Sequence, residues 1–260
     1  MAAHKQMETD LTALAEGKIP VSFSTNFLSP SQHRLTGMPF NIPVLRVVFE
    51  TDRFFATGRD NILPAAIPAW RVIADGLIGA PDGSALYVVG HTDERGERAY
   101  NFDLGQRRAE AVARAIATRG TVNAQVYRLS FGEDFPCVDK QTQAAYARNR
   151  RVEFLFAINP AAARSQIDLD IVRACSDRGD GTEGACSVKI ERNIYEVVPD
   201  RDAIDEMKRL NEAENAVLDN NELSDAERGR RLVALEEERR RIAVRLVRPR
   251  TPVSLTRRTR

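Results

Sequence analysis

Hydrophobic and polar positions from residue 44 onward follow two alternating periods, one typical of β-strands and one typical of α-helices. Short apolar runs that predict strands lie at residues 44–49, 86–89, 125–131 and 151–157. In the two gaps between the first three of these runs, apolar positions recur at helical spacing, from about residue 62 to 77 and again between Asn101 and Gly120. The order β-α-β-α-β-β predicts an α+β sandwich in which helices pack on a mixed sheet, here a domain of residues 44–160.

The first 43 residues carry scattered prolines, serines and polar residues with little periodicity. This pattern predicts an N-terminal extended arm over residues 1–43 and no independent domain there.

A turn-rich segment lies between Cys175 and Cys186, and two alternating stretches at 167–172 and 188–190 flank it. The pattern predicts that residues 161–200 form a β-hairpin extension whose base a disulfide between these cysteines could close. A disulfide would indicate maturation in an oxidising compartment such as a periplasm, whereas free thiols would carry no such indication.

Residues 201–260 are predicted to form a helical hairpin followed by a basic tail. Apolar positions at helical spacing predict one helix over 202–218, and the capping box Ser224–Glu227 opens a second that extends to about Val247. The arginine-rich end could meet an anionic surface, but a disordered terminus is the plainer interpretation.

The composition excludes several classes of protein. The chain has 38 Lys+Arg against 37 Asp+Glu, so its formal charge of +1 gives no global attraction to nucleic acid or to a membrane surface. No run approaches the roughly 18 apolar residues that a membrane-spanning helix needs. The N-terminus lacks a signal-peptide pattern, so a removed leader and another export route both stay open. Without a Cys-x-x-Cys or Cys/His cluster, neither a metal site nor a cofactor is expected.

Three motifs carry the functional information. Residues 90–93 read Gly-His-Thr-Asp, residues 101–109 read Asn-Phe-Asp-Leu-Gly-Gln-Arg-Arg-Ala, and residues 149–153 read Asn-Arg-Arg-Val-Glu. In this order and spacing they resemble the peptidoglycan-binding domain of the OmpA family, shared with peptidoglycan-associated lipoproteins and flagellar stator proteins. The resemblance covers about residues 44–157. One departure is Gly105, which replaces the family's serine and indicates a close backbone or ligand approach, or a weakened helix.

The resemblance implies non-covalent binding of the diaminopimelate residue of the peptidoglycan stem, with Asp93 and Arg108 as the residues that hold it. Diaminopimelate keeps a free amine and a free carboxylate, so its recognition requires an anion and a cation at a fixed separation. Asp93 would take the ammonium group, and the planar fork of Arg108 suits the carboxylate. The simpler alternative is that these two residues only form an ion pair with each other.

Four further residues are candidates for supporting roles in peptidoglycan binding. Asn101 is predicted to cap the helix and to fix the preceding loop, Leu104 to line the pocket, and Thr92 to offer hydrogen bonds. Arg150 is predicted to reinforce the carboxylate side. For Asn101 and Leu104, a capping role alone and a core position are equally open, and the choice of Arg150 over its neighbour Arg151 is not decided by the pattern.

The sequence predicts a protein that is not an enzyme. His91 has no visible nucleophile or partner base, and Glu94 and Glu97 are not paired in the geometry that glycoside cleavage needs. The leading hypothesis is an anchor that fixes an envelope-associated assembly to peptidoglycan in the periplasm, at the cell wall or outer membrane. The alternative is a structural scaffold whose C-terminal helices mediate self-association or binding of a protein partner.

Overall fold

The structure is a computed structural model of the 260-residue chain. It describes residues 2–16, 21–31, 41–50, 54–56, 58–117, 124–176, 183–220, 222–245 and 247–249. The strands are β1 (Val21–Leu28), β2 (Ile42–Glu50), β3 (Ala85–His91), β4 (Gln125–Gly132), β5 (Arg151–Ala157), β6 (Tyr195–Pro199) and β7 (Val247–Pro249). The helices are α1 (Ala2–Glu16), α2 (Ile67–Ile78), α3 (Arg98–Ala117), α4 (Gln143–Asn149), α5 (Pro160–Ser176), α6 (Glu183–Glu191), α7 (Arg201–Asp219) and α8 (Asp225–Arg245).

The seven strands form one mixed sheet in the order β1-β2-β5-β3-β4-β6-β7. Strands β3 and β4 pair in parallel, and the other neighbours pair antiparallel. The central strands β3 and β5 are buried along their whole length, as expected for strands that helices cover on both faces. The predicted α+β architecture, with helices packed on a mixed sheet, is confirmed.

Each face of the sheet carries its own apolar core, because side chains alternate between faces along every strand. One face buries Phe49 and Phe154 with residues of α1, α2 and α3, and Leu210 of α7 and Ile242 of α8 join the same cluster. The other face is covered by α5 and α6. The C-terminal half of the chain therefore completes both cores.

The prediction of an extended arm over residues 1–43 is wrong for the described part of that segment. Helix α1 buries Met7 and Leu11 completely, and β1 pairs with β2 along its whole length. Among the described residues of α1, only these two apolar side chains are buried, and they lie one helical turn apart. Two positions give only a weak helical pattern in the sequence. The helix is stabilised mainly by packing on its neighbours.

The β-hairpin predicted within residues 161–200 is corrected to two helices, α5 and α6, followed by β6. The run Ile-Asp-Leu-Asp-Ile at 167–171 alternates like a strand, but Ile167 and Ile171 are also one helical turn apart, and both are buried under the sheet. A disulfide joins Cys175 of α5 to Cys186 of α6, so it links two helices. The division of the chain into four domains stays a prediction.

The predicted helical hairpin is formed by α7 and α8. Ser224 caps α8, since its hydroxyl accepts a hydrogen bond from the Glu227 amide at 3.3 Å. Most of the predicted basic tail, residues 250–260, lies outside the described residues. Within the described ranges, none of the helices combines the length and the apolar character required to cross a membrane.

Candidate functional site

The candidate site is built on the loop that connects β3 to α3. The Thr92 amide donates to the Gly132 carbonyl at 2.9 Å, which ties the start of this loop to the end of β4. The Asn101 side-chain amide donates to the Asp93 carbonyl at 3.1 Å and to the Arg95 carbonyl at 3.3 Å. Because α3 begins at Arg98, Asn101 lies inside the helix and is not its N-cap, which corrects that part of the prediction. Its predicted role of fixing the loop agrees with these contacts.

The Asp93 carboxylate is buried and is held by two arginines. Arg95 donates through its amide and Nε, both 3.1 Å from Oδ1, and through Nη2 at 2.7 Å from Oδ2. Nη1 of Arg150 lies 2.8 Å from the same Oδ2. Burial opposes ionisation of Asp93, but the hydrogen bonds from Arg95 and Arg150 outweigh it and keep its pKa below the ordinary value. Asp93 is therefore a carboxylate at neutral pH.

The two arginines on Asp93 differ in exposure. The Arg95 side chain is 45% exposed and stacks over the Tyr146 ring at 4.7 Å, whereas Arg150 is 16% exposed. The sequence motif does not point to Arg95, although an arginine two residues after a loop aspartate is within reach of its carboxylate. Arg150 was expected beside the ligand carboxylate, and the structure places it on Asp93.

Arg108 projects from α3 toward the segment that follows β2. Its Nε donates to the Arg59 carbonyl at 2.9 Å, and Nη2 lies 3.4 Å from the Ala56 carbonyl. The guanidinium also stacks over the Phe55 ring at 5.2 Å. Arg108 is only 2% exposed, so three separate contacts orient a buried cation one to two turns into the helix that follows Asp93.

Two glycines allow α3 to lie against the sheet at this point. A Cβ atom on Gly90 would meet the Gly105 carbonyl oxygen at 2.0 Å, and one on Gly105 would meet Ser130 Oγ at 2.2 Å. Gly105 thus marks a close approach between the helix and strands β3 and β4. This contact sets the height of α3, and with it the position of Arg108 above the sheet.

The remaining predicted residues lie in the same region. Thr92 is buried, and its hydroxyl has no hydrogen-bond partner among the described residues. Leu104 is buried at 5% exposure on the helical turn before Arg108. Arg151 turns away from Asp93 and bonds instead to Glu153, at 2.6 Å, and to the Phe135 carbonyl, at 2.9 Å.

His91 lies beneath the loop and has no exposed surface. Its ring stacks on Phe131 with centroids 5.5 Å apart, and its Nε2 lies 3.4 Å from Glu153 Oε1. Burial, reinforced by the charge of Arg151, holds the pKa of His91 well below its ordinary value, so the ring is neutral. A sealed, neutral imidazole beneath the loop indicates a structural role for His91.

The described residues contain no group of three or more His, Cys, Asp or Glu side chains arranged to hold a metal ion. The site consists of one buried carboxylate with arginine partners and one separately oriented buried arginine. Chemically, this arrangement can bind a ligand that carries both a cationic and an anionic group.

Comparison with known proteins shows what this part of the chain is similar to. Residues 54–150 match the OmpA family model, which confirms the predicted resemblance. The chain is 39% identical over 103 residues to the peptidoglycan-associated lipoprotein of Pseudomonas aeruginosa, covering 40% of this chain and 60% of that protein. It is 36% identical over 102 residues to the peptidoglycan-associated lipoprotein of Legionella pneumophila, covering 39% and 57%. The chain therefore spans less than two thirds of the length of these curated relatives.

Among solved structures, one described as the cell wall anchor of the T6SS from Pseudomonas aeruginosa is 20% identical to this chain. The match covers 58% of this chain and 96% of that chain, with a TM-score of 0.42.

Proposed function

We propose that this protein, whose residues 54–150 form an OmpA family domain, binds peptidoglycan non-covalently and anchors an envelope-associated assembly to the cell wall. The observation that carries the proposal is the placement of Asp93 and Arg108, each buried and separately oriented, on the loop and helix that the family motif contains. The names of the two lipoprotein relatives support the same interpretation. The role is one of binding, without a catalysed reaction.

The proposed ligand is the diaminopimelate residue of the stem peptide. Its ammonium group would bind Asp93 in exchange for Arg95, the more exposed of the two arginines on that carboxylate. The exchange replaces one cation by another, so the buried carboxylate is never left without a partner. The ligand carboxylate would bind the guanidinium of Arg108, whose planar fork matches it.

The proposed location is the periplasm, at the cell wall or outer membrane. The disulfide between Cys175 and Cys186 supports it, because disulfides persist in oxidising compartments.

The first test is a pull-down of the protein with insoluble peptidoglycan. We expect Asp93→Ala and Arg108→Ala each to weaken binding by about 2 to 5 kcal/mol, roughly 30-fold to 4,000-fold, because each leaves one member of a charge pair without its partner. The matched control is Arg107→Ala, which removes a neighbouring arginine that is 48% exposed and paired with Asp60. Unchanged retention of both site variants would refute the site assignment, and a fall in turbidity of the sacculus suspension would show a hydrolase.

The ligand itself is tested by titrating free meso-diaminopimelate into the protein and following amide chemical shifts. Saturable shifts near Asp93 that vanish in Arg108→Ala are expected. If the folded protein shows no shift at millimolar ligand while sacculus binding persists, diaminopimelate is not the recognised group.

The alternative function is a scaffold that assembles through α7 and α8. It is favoured by two large apolar side chains exposed on this hairpin, Leu218 at 51% and Val233 at 61%. The two functions are separated by the double variant Leu218→Arg/Val233→Arg, examined by light scattering and by the pull-down. Loss of assembly with retained wall binding would assign the two roles to different halves of the chain.

A further inference from the structure

A polar cleft, other than the candidate functional site, lies beside the edge strand β1, between β2, α5 and the loop that follows β4. It comprises two adjoining cavities of about 490 Å³ and about 970 Å³, which share the lining residues Arg46, Cys137, Arg151 and Glu153. These volumes are typical of ligand sites. Asn149 fixes the wall formed by the loop, because its side-chain oxygen accepts hydrogen bonds from the amides of Cys137 and Val138, both at 3.0 Å. We name this region the arginine cleft.

The floor of the arginine cleft is a buried network of charges. Arg46 bonds to both Glu153 and Asp170, and Arg151 Nε lies 2.6 Å from Glu153 Oε1. The Glu153 and Asp170 side chains are only 5% and 3% exposed. Both carboxylates are therefore already committed to arginines of the protein.

Two more arginines, Arg148 and Arg173, line the cleft at its exposed margin. Within the described part of the chain, neither of these two guanidiniums forms an ion pair. The described lining thus contains four arginines and two carboxylates, and both carboxylates are already paired with Arg46 or Arg151. A recess with this excess of positive charge attracts an anionic group.

The margin of the cleft is also apolar. Phe27, Leu169 and Val172 line it and are 62%, 45% and 60% exposed. Large apolar side chains that cluster on a surface mark sites of protein interaction. The small polar residues Ser22 and Asn26 of β1 line the cleft and leave it unfilled.

Among the strands that the structure describes, β1 forms the edge of the sheet, with β2 as its neighbour on one side. Its other side presents backbone groups with which a further strand can pair. A strand added there would run along the arginine cleft, which flanks both ends of β1.

We propose that the arginine cleft binds an extended segment of a partner protein that pairs with β1. The segment carries an acidic residue with an apolar residue two positions before it and another two positions after it, so that all three side chains lie on one face of the segment. The acidic side chain enters the larger cavity toward Arg173, and the apolar side chains on the same face of the segment cover Phe27 and Val172. Arg148 lines the smaller cavity and adds to the positive charge of the cleft. The chain's own segment 32–40 follows β1 closely in sequence but contains Arg34 and no acidic residue, so it does not supply the anion.

The test uses a defined probe, the acetylated and amidated octapeptide Ser-Thr-Val-Thr-Glu-Thr-Val-Ser, whose glutamate and two valines lie on one face of an extended strand. It is titrated calorimetrically into the full chain. We expect saturable binding that falls at least about tenfold when glutamine replaces the glutamate. The double variant Arg148→Glu/Arg173→Glu should weaken binding by a similar factor or more, and Phe27→Ser should weaken it through lost apolar contact. The matched control, Arg192→Glu/Arg209→Glu, makes the same change of net charge at exposed arginines that do not line the cleft.

Three results would overturn the proposal. The first is no binding of the glutamate peptide by the folded protein. The second is binding that the cleft variants and the control variant reduce equally, which would indicate non-specific charge attraction. The third is a dimer in sedimentation that Phe27→Ser dissociates, because a second copy of the chain would then be the occupant.

Discussion

Arg150 and Arg151 are adjacent in the sequence, and each belongs to a different cluster of charged side chains. The two clusters are alike in chemistry and differ in solvent exposure. Arg150 bonds to Asp93, whose second partner, Arg95, is 45% exposed. Arg151 bonds to Glu153, and both of these side chains are at most 5% exposed. A half-exposed partner can be exchanged for a ligand at little cost, whereas a sealed pair must stay intact because each member would otherwise be a buried unpaired charge. Exposure therefore separates the proposed binding site from a structural network.

The largest effect expected from this comparison is on stability. Glu153→Gln removes the negative charge between Arg46 and Arg151, and we expect the free energy of unfolding to fall by about 3 to 5 kcal/mol. Asp93→Asn is the matched change in the cluster that contains the half-exposed Arg95. We expect it to lower the free energy of unfolding by less, about 1 to 2 kcal/mol, because Arg95 can turn to the solvent. Urea denaturation of the two variants at pH 7 measures both values.

The same pair of variants should separate in the opposite order in the peptidoglycan pull-down. Asp93→Asn should lose binding, and Glu153→Gln, where it remains folded, should retain it. Equal loss of stability in the two variants would show that the difference in exposure does not divide the clusters.

The second effect concerns the contact that positions Arg108. Gly90→Ala places a Cβ against the backbone oxygen of Gly105. A backbone atom cannot relieve the clash by changing rotamer, so α3 must shift. We expect a loss of about 1 to 3 kcal/mol in the free energy of unfolding together with weaker peptidoglycan binding. Gly79→Ala is the control, because a Cβ there meets nothing within 4 Å. Unaltered binding by a destabilised Gly90→Ala protein would mean that the height of α3 does not set the site.

The sequence predicted best the parts that local patterns determine. The segments from β2 to β5 follow clear periods, and the loop with Asp93 and the helix with Arg108 lie in a contiguous motif. The segment that forms α5 was misinterpreted because Ile167, Leu169 and Ile171 satisfy the period of a β-strand. Whether it forms a strand or a helix is decided by its packing on one face of the sheet.

The buried network could not be predicted from local sequence. Arg46 meets Glu153 and Asp170 across 107 and 124 residues of chain, so no spacing or motif brings these three together before the sheet forms. The role of Arg95 was missed for a different reason. The motif predicts that Asp93 is a ligand residue, and it does not show which of the arginines near Asp93 bonds to the carboxylate in the folded loop.

The smallest expected effect tests whether the cluster of Arg151 and Glu153 is closed to protons from the solvent. The probe is His91, which directly precedes Thr92 and contacts Glu153. Burial and the charge of Arg151 lower the pKa of the folded His91, whereas the unfolded histidine titrates near 6.5. Below pH 6.5 the unfolded state therefore binds a proton that the folded state does not, and stability falls as the pH falls. Between pH 7.5 and 5.5 this contribution amounts to about 1.4 kcal/mol.

His91→Phe keeps the aromatic contact with Phe131 and removes the titrating group. We expect the free energy of unfolding of the variant to fall by about 1.4 kcal/mol less than that of the wild-type protein over the same pH range. Glu153 does not obscure the comparison, because its interactions with His91, Arg151 and Arg46 together overcome the effect of its burial and hold its pKa at about 2, well below this pH range. The stability that Glu153 contributes is therefore lost only as the pH falls from about 4.5 toward 2. An identical pH dependence for both proteins would mean that protons reach His91 in the folded state, and the second cluster would then be as open to exchange as the first.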